Sequence, residues 1–192
     1  MKLLLNAVMV ALSLGHSALF GQTAYQVHST STLAISGTST LSDWVVTSNT
    51  VKGEMTFATS PKAKHTGRIS KGQVVVAVED IRSERGETMN NKMYNALKKD
   101  EHPAISFALT SPIDIAASTQ KVSVKGNVTL AGVTLPITFD LDVSKAEDGF
   151  RFRGKKSLKL SAFDITPPTA MFGQIETGDD ILVELDLLFT TE

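Results

Sequence analysis

Val133-Thr134-Leu135-Pro136-Ile137-Thr138-Phe139-Asp140-Leu141-Asp142-Val143 carries an apolar side chain at every odd number and Thr, Pro or Asp at every even one. Successive side chains of a strand point to opposite faces, so this run reads as a strand with one apolar face and one wet face. Pro136 has no N–H for a ladder, which suits an edge, a bulge or an early strand position. The preceding run shows the same period on even numbers: Val122, Val124, Gly126, Val128 and Leu130. Only Ala131-Gly132 separates the two runs, so they are expected to form a hairpin.

The pattern recurs outward from this hairpin. At the C-terminal end Ile181, Val183, Leu185, Leu187 and Phe189 stand at every second position. Phe150 and Phe152 alternate with Arg151 and Arg153, and Leu158 and Leu160 follow around Lys159. Earlier runs are Leu33 to Ser36, Val51 to Phe57, Val74 to Val78 and Ile105 to Thr110, with Trp44 to Val46 as an extra strand or an extension. This reading gives about eight strands by period alone. One segment differs. Met89, Met93, Ala96 and Leu97 fall at helical spacing, with Glu87 at the start and Lys98 and Lys99 at the end, so a helix is expected over about 87–100. Pro103 then turns His102 away from helical geometry. The expectation is an all-β domain with one inserted α-helix. Its strands form either a barrel or a sandwich, and a barrel of this size is either filled by side chains or holds one elongated ligand.

Composition narrows the chemistry. The chain has 192 residues, 19 Lys and Arg against 20 Asp and Glu, and a net charge of −1. That balance offers no concentrated basic surface for nucleic acid. No cysteine is present, which excludes disulfides, thiolate zinc sites, iron–sulfur clusters, a Cys nucleophile and a lipid-modified Cys. His28, His65 and His102 lack the spacing of a metal site, and no Gly-x-Ser-x-Gly elbow or Gly-rich phosphate loop occurs. No metal or cofactor is expected. The basic cluster Arg151, Arg153, Lys155, Lys156 and Lys159 has two readings, a solvated strand face or an anionic-headgroup site at a barrel mouth. Arg82 and Arg85 are similarly ambiguous.

The N-terminus makes a separate statement. Lys2 precedes an apolar run from Leu3 to Leu14, and small or polar residues follow to Gly21. The run is shorter than the roughly 20 residues of a transmembrane helix. It reads as a secretory signal peptide, residues 1–21, cut after Gly21 with Ala24 as the rival. Residues 22–192 then form one domain, expected in the periplasm or secreted and not inserted stably in a membrane.

Three segments stand out: His102-Pro103-Ala104-Ile105-Ser106-Phe107; the hairpin from Val124-Lys125-Gly126-Asn127 through Leu130-Ala131-Gly132-Val133-Thr134-Leu135-Pro136-Ile137; and Ser161-Ala162-Phe163-Asp164-Ile165-Thr166-Pro167-Pro168-Thr169 with Gly178-Asp179-Asp180. Together they resemble the YceI-like family of lipid- or polyisoprenoid-binding proteins. The stretch Ile35 to Trp44 is similar to a variant of the family's first strand and turn. The resemblance spans residues 25 to 189. It implies an eight-stranded antiparallel lipocalin-like β-barrel with a helix over one side, an apolar cavity for an isoprenoid chain, and often a dimer. No catalytic residue carries over. Two departures stand out: many members have His where this chain has Ser42, and an Arg-Asp-x-His-Leu pattern where it has Met89-Asn90-Asn91-Lys92-Met93.

The expected ligand contacts are apolar side chains of the inner faces and the helix. From the first half of the domain these are Ile35, Trp44, Met55, Phe57, Val76, Met89, Met93 and Leu97. From the second half they are Phe107, Val128, Phe139, Leu141, Phe152, Leu160, Phe163, Met171, Phe172 and Leu185. The expected function is an exported, non-enzymatic carrier of a long-chain isoprenoid or similar apolar lipid. The alternative is a filled-core structural or stress-response module acting through protein contacts. An enzymatic reading requires His28 or His102 to stand in the cavity beside a carboxylate.

Overall fold

In the computed structural model the alternating runs close into a ring. The structure describes residues 21–59 and 66–191, so the predicted signal peptide up to Phe20, and His65, lie outside the described residues. In chain order the strands are β1 (Gln22–Val27), β2 (Thr32–Ser39), β3 (Trp44–Ser48), β4 (Val51–Thr59) and β5 (Gly67–Ala77). Helix α1 (Glu87–Ala96) comes next. Then come β6 (Ala104–Leu109), β7 (Ile113–Ile115), β8 (Lys121–Leu130), β9 (Val133–Ala146), β10 (Gly149–Lys159), β11 (Thr169–Ala170) and β12 (Ile175–Thr190).

All pairings are antiparallel. They run β1-β4-β5-β6-β8-β9-β10-β12, and β12 returns to β1 through Gln26↔Thr190 and Val27↔Phe189. That circuit is the eight-stranded barrel. The β2–β3 pair continues the β1–β4 pair: Leu33 meets Ser48 while Gln26 meets Glu54, so one long hairpin is interrupted near residues 28–31 and 49–50. β2 also pairs with the N-terminal half of β12, from Ser39↔Thr177 to Thr32↔Asp186. The expected extra strand at Trp44 is therefore β3.

The hairpin that opened the sequence reading is in register from Lys121↔Asp142 to Leu130↔Val133. Ala131 and Gly132 have φ of 49° and 86°. Positive φ at both central residues is the two-residue turn whose twist matches paired strands. A Cβ on Gly132 would stand 2.5 Å from Nε2 of His102, so the glycine also makes room for the residue that precedes β6. β9 meets β10 only from Leu141 onward, and Val133 to Asp140 pairs with β8 alone. Pro136 thus stands where its strand has one neighbour, as its missing N–H requires.

The open flank beside β9 is filled by a 3-10 turn, Ser161–Phe163, that touches both β9 and β10. Phe163 is fully buried there, and Ser161 anchors the turn by donating from its backbone N–H and its hydroxyl to Asp179, both at 2.7 Å. At one end of the barrel Tyr25, Phe57 and Phe150 form an aromatic plug, with Phe57 and Phe150 centroids 5.0 Å apart. Offset and tilted pairs at this spacing favour close packing of the rings.

The helix ends earlier than its periodicity suggests. Leu97 N–H still reaches Met93 O, but Lys98 has φ 53° and the chain turns. A left-handed residue after the last turn is an ordinary helix stop, usually signalled by Gly, and Lys gives no such signal. Lys98 and Lys99 consequently lie past the helix, with Lys99 Nζ 5.1 Å from the centre of the Tyr94 ring. Asn90 is buried and accepts the backbone N–H of Ser83 at 2.7 Å, which fixes α1 to the segment before it. Arg82 in that segment bonds by its backbone to Thr47, so the edge of β3 is covered.

Candidate functional site

The interior is hollow: a cavity of about 500 Å³ runs between the inner strand faces and α1. Its wall is the set of alternating side chains. All five apolar residues of the last run, Ile181 to Phe189, face it, as do Val124, Val128 and Leu130 of β8 and Phe139 and Leu141 of β9. Phe107 and Phe139 meet edge to face with centroids 5.9 Å apart on that wall. Met89, Met93, Ala96 and Leu97 bring the helix stripe to the same space. Thioether chains in such a wall adapt to a ligand without fixed shape.

Of the residues expected to contact a ligand, Ile35, Trp44, Met55, Val76, Met89, Met93, Leu97, Phe107, Val128, Phe139, Leu141, Phe152, Leu160 and Leu185 line the cavity. Four do not. Phe57 belongs to the aromatic plug at the closed end. Phe163 is buried behind the wall, in the flank between β9 and β10. Met171 and Phe172 project into solvent from the turn between β11 and β12. Alternation in the sequence tells which face a residue occupies but not its height along the barrel, and it says nothing of turns. The wall also holds residues not singled out above, among them Leu33, Val46, Ile69, Ile105, Leu158 and Ile165. Leu33, Val46, Ile105 and Leu158 belong to alternating runs and were readable by period; Ile69 lies across a bulge from the Val74 run, and Ile165 lies in an aperiodic loop.

Polar groups gather at one mouth, where Arg85, Thr88 and Lys92 border the opening. No Asp or Glu lines the cavity among the described residues. Arg85 donates to Ser42 Oγ at 3.0 Å and to the Asp43 carbonyl at 2.6 Å. Ser42, the residue that stands where many YceI-like members have His, thus accepts an arginine. His28 is exposed and bonded to Thr30, and His102 packs on the Gly132 turn; neither lines the cavity. Among the described residues no group of three His, Cys, Asp or Glu could hold a metal ion. No helix among them is long and apolar enough to cross a membrane.

The basic cluster on β10 resolves into cross-strand ion pairs on the outer face. Arg151 and Arg153 both pair with Asp186, Lys155 with Glu184, and Lys159 with Asp180 at 2.8 Å. Lys156 alone of the five has no carboxylate within 4.0 Å among the described residues. These partners, which come from β12, offset most of the cluster's charge and favour the solvated-face reading over the headgroup one.

Asp186 gives the ladder a pH signature. Burial pushes its carboxyl upward, but hydrogen bonds from Arg151 and Arg153 outweigh that and hold it below the usual range. A depressed folded pKa adds stability above the unfolded value, near 3.9, and that stability is lost as pH falls through the folded value. Asp186→Asn is expected to cost roughly 1 kcal/mol at neutral pH, given the partial exposure of the pair. Urea midpoints of the two proteins should differ by a constant amount above about pH 5 and converge in more acid solution. A gap that stays constant into strong acid would contradict this assignment.

A closed antiparallel barrel with one helix at its rim and an apolar interior cavity is a lipocalin-like architecture. Within it, this chain belongs to the YceI-like family: the YceI-like domain matches residues 23–189. Among solved structures, a polyisoprenoid binding domain from Saccharophagus degradans, implicated in plant cell wall breakdown, is similar with a TM-score of 0.67 at 14% identity, covering 88% of this chain and 98% of that one. BcnA of Burkholderia cenocepacia is similar with a TM-score of 0.65 at 17% identity, covering 84% and 98%. A Campylobacter jejuni YceI protein has a TM-score of 0.55 at 18% identity, covering 73% and 81%. No curated protein gives a significant match.

Proposed function

We propose that this protein is an exported, non-enzymatic carrier that holds a long-chain isoprenoid, or a closely similar apolar lipid, inside the barrel. The observation that carries the reading is the cavity itself: about 500 Å³, walled by aliphatic, aromatic and Met side chains and free of carboxylates among the described residues. That volume falls within the roughly 300–1,000 Å³ of small-molecule sites. Each Å² of ligand removed from water contributes about 25 cal/mol, so a long tail is retained without directional bonds. The likeness to a polyisoprenoid binding domain supports the same ligand class. The N-terminal apolar run supports export. Against the filled-core alternative stands the hollow interior, which a purely structural module has no use for.

Native mass spectrometry of protein purified from its own host tests the proposal. The expected spectrum shows the chain, cut near Gly21, plus the mass of one long-chain lipid, and the same measurement reads out one copy or two. Bare chain mass combined with no uptake of added polyprenol would sink the carrier reading.

A further inference from the structure

We propose that the cavity mouth is a membrane-docking rim, on which Leu41, Met171 and Phe172 enter the interfacial layer of a lipid bilayer while cargo passes between bilayer and barrel. This rests on the carrier reading and adds where the cargo is exchanged.

Single exposed apolar side chains are normal on protein surfaces, but a group of them marks a contact site. The large apolar residues exposed among the described residues are Leu41, Val45, Met171 and Phe172, and Phe172 is wholly in solvent. All four lie on β3, on the β2–β3 connection or on the β11–β12 turn. These two loops are joined: Thr40 N–H donates to Glu176 O at 3.0 Å, and Glu176 N–H donates to Thr40 Oγ1 at 3.1 Å. Met171, Phe172 and Gly173 have φ of 50°, 56° and 88° in succession. Side chains with a Cβ resist this left-handed geometry, and such outliers collect at functional positions. The turn is closed by Gly173 N–H to Ala170 O and Gln174 N–H to Met171 O, so the two apolar side chains are held outward on a fixed hairpin tip.

Three observations favour a bilayer as the occupant. Leu41, Ala170 and Ile175 line the cavity, and Ala170 directly precedes Met171 and Phe172, so the apolar lining reaches the turn that carries them. An apolar chain leaving the cavity along this path meets water only if the rim is free, and a bilayer is the phase such a chain already occupies. Arg85 is bonded to the loop that carries Leu41, and Lys92 borders the same opening; neither has a carboxylate within 4.0 Å among the described residues. They complement anionic lipid headgroups. Asp43 and Glu84 border an adjoining groove that shares Trp44 and Arg85 with the cavity, and neither carboxylate lines the cavity itself.

The test compares two sources of geranylgeraniol, one dispersed from ethanol and one embedded in phosphatidylethanolamine–phosphatidylglycerol vesicles. Trp44, the single tryptophan and a cavity residue, reports loading by its fluorescence, and vesicle flotation reports docking. Wild-type protein is expected to float with vesicles and load from both sources. Phe172→Asp should lower flotation and the rate of loading from vesicles by roughly ten-fold or more, the scale set by one large apolar side chain. Loading from ethanol should be unchanged, and Phe172→Leu should restore docking. Equal flotation and equal vesicle loading in wild type and Phe172→Asp, with ethanol loading intact, overturns the rim alone. So does a concentration-dependent dimer that Phe172→Asp dissolves, which assigns the rim to a second copy. Failure of wild type to load from ethanol overturns the carrier reading and the rim with it.

Discussion

Phe163→Ala is expected to destabilise the fold by about 3–5 kcal/mol, near the upper end for a single truncation. The ring is fully buried, yet it does not face the cavity. It fills the flank where β9, from Val133 to Asp140, has lost β10 as a neighbour. Removing the ring leaves a void between a one-sided strand and a short turn, and neither partner can collapse far. The strand is held by β8 across the whole register from Lys121 to Leu130, and the turn by the two bonds of Ser161 to Asp179. For a domain of this size the loss corresponds to a fall in thermal midpoint of roughly 6–20 °C. Calorimetry or circular dichroism melting reads it directly. A shift of a degree or two would show that the flank is closed by something other than this side chain.

Leu185→Trp should have the opposite profile: little effect on stability and a large effect on ligand. Leu185 faces Leu33 on β2 and Gly154 on β10, so one of its cross-strand neighbours has no side chain. It also borders the cavity. An indole placed here projects into empty space. Overpacking of a filled core costs about 1–3 kcal/mol; the void should absorb most of that. The lipid adduct of the wild-type protein should fall to roughly a tenth or less, since loss of even 1.4 kcal/mol of apolar contact is ten-fold in affinity. Native mass spectrometry and a melting curve on the same sample separate the two effects. An unchanged adduct in a normally folded variant would place the ligand somewhere other than this cavity.

Residues with period two were legible, and so was most of the wall. Ile181, Val183, Leu185, Leu187 and Phe189 line the cavity as their alternation implies, and Val128, Phe139 and Leu141 follow the same logic across the central hairpin. Phe57 obeys the same alternation as Met55, but the two sit at different heights, and height is set by register with β1 and β5. Phe163 and Ile165 lie in a stretch without period, so no local signal distinguishes filler from wall. Met171 and Phe172 look like core by composition; only the left-handed turn sends them outward. The charges of β10 were ambiguous because their partners come from a strand about 35 residues later, as Arg151 and Asp186 show. Asn90 reads as a polar helix residue, and nothing local indicates that it is buried against Ser83.

The barrel's neighbours in space are neighbours in sequence at every step but one. The loops range from two residues, at Ala131-Gly132 and at Glu147-Asp148, to the β5–β6 connection that carries α1. The ring itself closes where β12 meets β1 and β2, and there Ser31 Oγ accepts the N–H of Leu188, 157 residues away. By the logarithmic law of loop closure, that contact costs about 4 kcal/mol more entropy than a two-residue turn. The meander can therefore assemble from its hairpins in order, as a curved open sheet, and become a container only when its first and last strands meet. Without the seam at Ser31 and Leu188 the same strands would be an open sheet with its apolar face to water; with it they are a vessel with that face inside.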